Sequence, residues 1–279
     1  MVKLENVKKQ YGDFCLECSL EIPTGQVTGI IGRNGAGKTT AFKAMLGLIK
    51  IDGGSVELFG KDGRTLSAKD RERIGTVLAD SGFCGYLTIK DYVPMLAAMY
   101  SDFSKEKFVS ECERMGLPVK KKIKDFSTGM KRKLQILTAL SHNAELLVLD
   151  EPTAGLDVIV RDEILEMLQD YMKTEERSIL ISSHISSDLE GICDDIYMID
   201  NGKIVMHEDT DVILGSYGLI KATRSQFEKL DKAYIINSFE ADFGYNCVTN
   251  QKQFYLENYP DLVVENGSLD LMMRMFTQK

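Results

Sequence analysis

The segment Val27–Ile31, VTGII, runs directly into Gly32–Thr40, GRNGAGKTT. Gly32, Gly37, Lys38 and Thr39 occupy the fixed places of GxxxxGK[ST], between a stretch that reads as a buried strand and one with apolar residues at helical spacing. Glycines there let successive backbone N–H groups turn into one concavity and let an anion approach the main chain. A helix opening near Gly37 adds unpaired N–H groups and the positive end of its dipole, and Lys38 adds a point charge. Thr39 can offer its hydroxyl to Mg²⁺. The chain must therefore build strand, phosphate loop and helix in succession, which places the loop at the C-terminal edge of an open sheet.

A second apolar run, LLVLDE, delivers Asp150 and Glu151 to the end of another strand. Adjacent residues of an extended chain project differently, so Asp150 is expected to serve the metal while Glu151 orients water. Around these motifs, strands such as SILIS and IYMID alternate with amphipathic stretches such as VIVRDEILEMLQDYM. That alternation predicts an α/β fold with a mostly parallel sheet covered on both faces. VKLENV and FCLECSLEI predict an antiparallel β portion at the N-terminus, DGGSVELFGKDG a hairpin, and residues of about 82–140 an inserted helical portion. Residues 1–213 read as the nucleotide-binding domain and 214–279 as a small α/β extension without a chemical motif, in which SLDLMMRMF predicts a final packing helix.

The formal net charge of −8 sets the surface against nucleic acid, whose phosphates are bound by Lys and Arg displacing counterions. MVKLENVKKQ lacks an apolar core and is not expected to be a signal peptide, and no run approaches the ~18 apolar residues of a membrane span. Six scattered cysteines fit a reducing compartment, and Cys15-x-x-Cys18, without a second pair, reads as part of a strand rather than a metal site.

The ordered set GRNGAGKT, FSTGM, LLVLDE, PTAGLD and ILISSH resembles the ATP-binding subunit of ATP-binding cassette (ABC) transporters over roughly residues 1–213. The resemblance implies a P-loop NTPase core that hydrolyses ATP with Mg²⁺. Gly32, Asn34, Gly35, Ala36, Gly37, Lys38, Thr39 and Thr40 would hold the nucleotide, with Tyr11 stacking on adenine. Ser127 and Gly129 match the signature motif, although Thr128 and Met130 depart from it, and Asp157 matches a loop linking paired sites. Read from the residues, Ser127 and Asp157 are also helix N-caps, and Met130, Leu134 and Leu137 share one helix face. His184 matches the histidine that senses the γ-phosphate, giving Lys38, Glu151 and His184 as the catalytic set and Thr39 and Asp150 as metal ligands.

Ala79 stands where the family places a metal-contacting glutamine; either Asp80 takes over the metal or water contact, the favoured reading, or the contact is lost and catalysis is slower. The resemblance further implies a second cassette, identical or not, and a separate integral permease, with the chain at the cytoplasmic face of the membrane. The single cassette, the FSTGM signature and the short tail resemble bacterial exporters, including those of antimicrobial or amphipathic peptides. A soluble ABC-type ATPase or a low-activity regulatory cassette is the alternative. The run Lys120–Lys124, KKKIK, reads as a solvated loop ahead of the signature helix.

Overall fold

The computed structural model describes residues 1–277. Strands β1 (Val2–Tyr11) and β2 (Phe14–Ile22) form an antiparallel hairpin, and β3 (Val27–Ile31) leads through the glycine-rich loop into α1 (Lys38–Met45). The hairpin β4 (Gly53–Leu58) and β5 (Lys61–Asp62) follows, then α2 (Ala68–Glu72) and β6 (Ile74–Val77). Three helices come next, α3 (Ile89–Met99), α4 (Lys105–Arg114) and α5 (Thr128–Leu140). Alternation resumes with β7 (Leu146–Asp150), α6 (Val158–Met172), β8 (Ser178–Ser183), α7 (Ser186–Glu190), β9 (Asp195–Asp200), β10 (Lys203–Asp209) and α8 (Thr210–Ser216).

Among the described residues these strands make one ten-stranded sheet, in the order β5-β4-β1-β2-β10-β9-β3-β8-β7-β6. Its centre, β9-β3-β8-β7-β6, is parallel, and its β1, β2, β4 and β5 edge is antiparallel. Every residue of β3, β7 and β8 is buried, as continuous apolar runs covered on both faces require. Side chains alternate between the two faces. Leu147 and Leu149 join the core beneath α3–α6, whereas Leu146 and Val148 join the one containing Phe42 and Met45 of α1. By this parity the side chain of Asp150 emerges on the α1 face. Cys18 of β2 sits in that same core, where burial pushes its thiol up to about 11.

The helices start where local chemistry fixes them. Thr88 and Asp91 form a reciprocal capping box at α3, Ser104 caps α4, and Ser127 accepts from the Met130 amide at 3.2 Å to start α5. In KKKIK, Ile123 is buried while Lys121, Lys122 and Lys124 stay exposed, so the run is anchored by its one apolar residue.

A second sheet begins at β11 (Gly218–Ala222). The chain continues through α9 (Arg224–Lys229), β12 (Ile235–Ala241), β13 (Gly244–Thr249), α10 (Lys252–Asn258), β14 (Val263–Asn266) and α11 (Leu269–Thr277). This sheet is antiparallel, in the order β12-β13-β11-β14, over a small core of Ile220, Ala222, Leu230, Cys247 and Tyr255. Helix α11 leaves it and packs back on α7 and β9, burying Leu269, Leu271, Met272 and Met275 in the main core.

A candidate nucleotide site at the ends of the parallel strands

The loop between β3 and α1 wraps its backbone around a concavity. A Cβ on Gly32 would stand 2.3 Å from the Ile199 carbonyl oxygen, so no side chain fits there, and Gly37 has φ +117°, a conformation glycine adopts without strain. The α1 N-terminus receives no side-chain cap, which leaves its first amides to face the concavity. Lys38 is buried, donating to the Gly32 carbonyl at 2.7 Å and lying 3.2 Å from Glu151 Oε1. A cleft of about 360 Å³ opens here, lined by Phe14, Arg33, Asn34, Gly35, Gly37, Lys38, Thr39, Thr40, Ala79 and Glu151.

Asp150, fully buried, accepts from the Thr39 hydroxyl at 2.6 Å through Oδ2 and from the Ser182 hydroxyl at 2.6 Å through Oδ1. The backbone turns left-handed at Glu151, φ +52°, which redirects its side chain into the cleft. There the carboxylate meets His184 Nδ1 at 2.5 Å and the His184 amide at 3.2 Å through Oε2. Burial works to raise the Glu151 pKa, but the His184 hydrogen bond and the Lys38 charge outweigh it and hold the carboxyl below its ordinary value. Glu151 is therefore ionised at neutral pH, its Oε1 paired with the Lys38 ammonium and its Oε2 with His184. The cleft thus combines an anion cradle, a buried cation and an ionised carboxylate, all at the C-terminal ends of β3, β7 and β8.

A family profile describing ABC transporters matches residues 15–154, about half of the chain. The chain belongs to the ABC transporter family. The bacitracin transport ATP-binding protein BcrA of Enterococcus faecalis is 37% identical over 209 residues, covering 74% of this chain and 68% of that one. The lantibiotic transport ATP-binding protein SrtF of Streptococcus pyogenes is 36% identical over 235 residues, covering 82% of this chain and 99% of that one. In fold, the chain is similar to an ATP-binding cassette solved as a dimer with ADP and Pi after hydrolysis, with a TM-score of 0.67 and 23% identity over 75% of this chain and 99% of that one.

Within this ABC cassette the other sequence-expected residues divide into three groups. Asn34, Gly35 and Thr40 line the cleft beside Lys38 and Thr39, and Ala36 is buried beneath the loop. Ser127, Gly129 and Asp157 gather away from it. Ser127 caps α5, and Asp157 caps α6 by accepting from the Val160 amide at 3.0 Å. The two helix starts adjoin, since a Cβ on Gly129 would lie 3.2 Å from Val160 Cγ1.

Tyr11 and Asp80 sit at the margin. Tyr11 is half exposed under the Lys9 ammonium, 5.2 Å from its ring centre, and the aromatic lining the cleft is its hairpin partner Phe14. The Asp80 carboxylate is bonded to Lys43 at 2.6 Å, and the residue facing the cleft is Ala79.

Sequence reasoning missed Ser182, although its parity on β8 with Leu180 of the α1-side core gives it away. It also missed Gln135 on α5, which donates to the Ser81 carbonyl at 2.8 Å and accepts from Arg132 at 3.2 Å. The Ser81 contact ties the segment after β6 to the signature helix, and no sequence pattern announces it. Among the described residues no helix is long and apolar enough to cross a membrane.

Proposed function

We propose that this ATPase subunit closes on ATP as a pair of cassettes and drives a separate membrane permease that exports peptide-like antimicrobial compounds. The observation that carries the reading is the contact series Lys38, Glu151 and His184, drawn across a cleft whose floor is the glycine loop. Lys38 and the loop amides balance the β- and γ-phosphate charge, and Glu151, held ionised, aligns water for attack on the γ-phosphorus and takes its proton. His184, bonded to Glu151 through Nδ1, keeps that carboxylate aimed.

The Thr39 hydroxyl and the Asp150 carboxylate, 2.6 Å apart, are two hard oxygen donors suited to Mg²⁺, which keeps its other positions for phosphate and water. Bound there, Mg²⁺ would neutralise charge on the β- and γ-phosphates.

Support for pairing comes from Ser127, Gly129 and Asp157 lying outside the cleft lining of their own chain, at exposed helix starts where a second cassette can present its nucleotide. The bacitracin and lantibiotic transport relatives support a peptide-like substrate, and pairing with a permease would place the cassette at the membrane face.

Glu151→Gln tests the site. It keeps the shape and should retain ATP while slowing turnover by about 10²–10³-fold, some 3–4 kcal/mol, and accumulating the nucleotide-bound pair. Turnover at the unmutated rate removes Glu151 from the chemistry.

One observation favours the low-activity regulatory reading: the Ala79 side chain offers the cleft no polar atom where a metal or water contact is expected. For Asp80 to supply it, the carboxylate must exchange Lys43 for the metal. Asp80→Asn should then raise the Mg²⁺ concentration needed for half-maximal turnover several-fold; an unchanged Mg²⁺ titration excludes Asp80 and supports a slow, regulatory cassette.

A further inference from the structure

His184 is followed at once by α7, a helix of five residues, too short to hold its own geometry. Tertiary contacts must set it, and they come from three sides: Arg161 of α6 donates to the Ser187 hydroxyl at 2.6 Å and pairs with Asp188, and two further sets flank these. Toward the cleft, buried Asp188 accepts from the Thr153 hydroxyl at 2.5 Å, joining α7 to the segment that follows Glu151. Away from it, the Ser186 hydroxyl donates to Asp270 Oδ1 of α11 at 2.5 Å, and Glu190 Oε1 accepts from the Leu269 amide at 2.7 Å. Leu269 and Met272 of α11 are wholly buried in the same core as Leu189 of α7.

We propose that the C-terminal unit is a positioning element for hydrolysis: Asp270, through Ser186, fixes α7 and so holds His184 on Glu151. The inference rests on the ATPase reading of the cleft and adds a role for the segment beyond residue 217, which contributes no atom to the cleft lining. Asp270 is not needed to start its own helix, because Ser268 accepts from the Leu271 amide at 3.1 Å and Glu190 serves Leu269. Its carboxylate is instead spent on Ser186, two residues beyond His184.

Asp270→Ala in the full chain removes the acceptor while leaving the α11 start capped. The expected result is a kcat lowered about tenfold with the KM for ATP within about twofold, since what is lost is alignment rather than binding. Asp270→Asn keeps an acceptor oxygen for Ser186 and should restore kcat.

The chain has three histidines, at 142, 184 and 207, so imidazole ¹⁵N resonances can be assigned by single substitutions. In Asp270→Ala the His184 resonance should move while those of His142 and His207 stay. An unmoved His184 resonance overturns the proposal whatever the rate does. So does an unchanged kcat, or a loss of rate that adds in full to that of His184→Ala. If the unmutated chain fails to turn over ATP, the ATPase reading falls by itself, and the His184 resonance still decides whether Asp270 holds that residue.

Discussion

The nucleotide-binding core and the unit that begins at β11 are built on opposite economies. In the core, β3, β7 and β8 are buried along their whole length and spend their ends on chemistry: a glycine loop, Asp150 with Glu151, and His184. In the C-terminal unit, β12 alternates half-buried and exposed residues, the core is small, and Tyr234, Ile236, Phe243, Leu256 and Val263 stay exposed. Chemistry demands particular residue types at particular spacings, so the first region writes its function into short strings. Packing demands only apolar residues of suitable volume. The second region consequently shapes the molecule without naming what it does, and its tie to α7 runs through two hydrogen bonds and the apolar face of α11.

The largest way to break this contrast is to unfold the smaller unit alone. Tyr255 is fully buried and its hydroxyl donates to the Asp231 carbonyl at 2.7 Å. Tyr255→Ala should cost about 3–5 kcal/mol by leaving a cavity and an unpartnered carbonyl. Amide exchange across residues 218–266 should accelerate while β3, β7 and β8 stay protected. ATP affinity should survive, because the loop, Lys38 and Thr39 belong to the core, and turnover should fall as α7 loses its outer support. Loss of ATP binding together with the small sheet would show that the two regions fold as one and that the contrast is false.

The legible part of the molecule ends where residue type stops implying a partner. Gly32, Lys38, Thr39, Asp150, Glu151 and His184 converge as the strings require, and Ser127 and Asp157 cap the helices they precede. Strand parity carries further still, since Leu146 and Val148 on the α1 face predict that Asp150 meets Thr39. At the hairpin tip local sequence leaves the choice between two rings open for a physical reason. Tyr11 and Phe14 are both aromatic and paired across the turn, so only the register and twist decide which ring lines the cleft. Asp80 is ambiguous for a similar reason, because a carboxylate beside the site is also within reach of Lys43 one turn along α1. The Met-rich final helix is visible as an amphipathic stretch. Its docking on α7 is a long-range contact that no local pattern contains.

The smaller test uses the distribution of histidines, all of which lie before residue 214. His142 is buried and stacked on Tyr100 with ring centres 3.9 Å apart, and its two nitrogens lie 3.3 Å from the Ile74 and Thr138 carbonyls. Burial lowers its pKa from 6.5, and the two carbonyls and the more distant Glu72 charge only partly oppose that shift. Between the folded and unfolded pKa values the unfolded chain holds the extra proton, so stability rises with pH through that window. It is therefore lost as pH falls below about 6.5, with a slope from this group of at most about 1.4 kcal/mol per pH unit. Lowering the pH from 7 to 5.5 should thus loosen β6 and α5, seen as faster amide exchange there, while the histidine-free sheet of residues 218–266 changes little. His142→Gln, which retains an N–H donor for a carbonyl, should flatten the response in the core. A response of equal size in both regions, or one that survives His142→Gln, would assign the acid sensitivity to carboxylates shared by the two and leave His142 with a packing role.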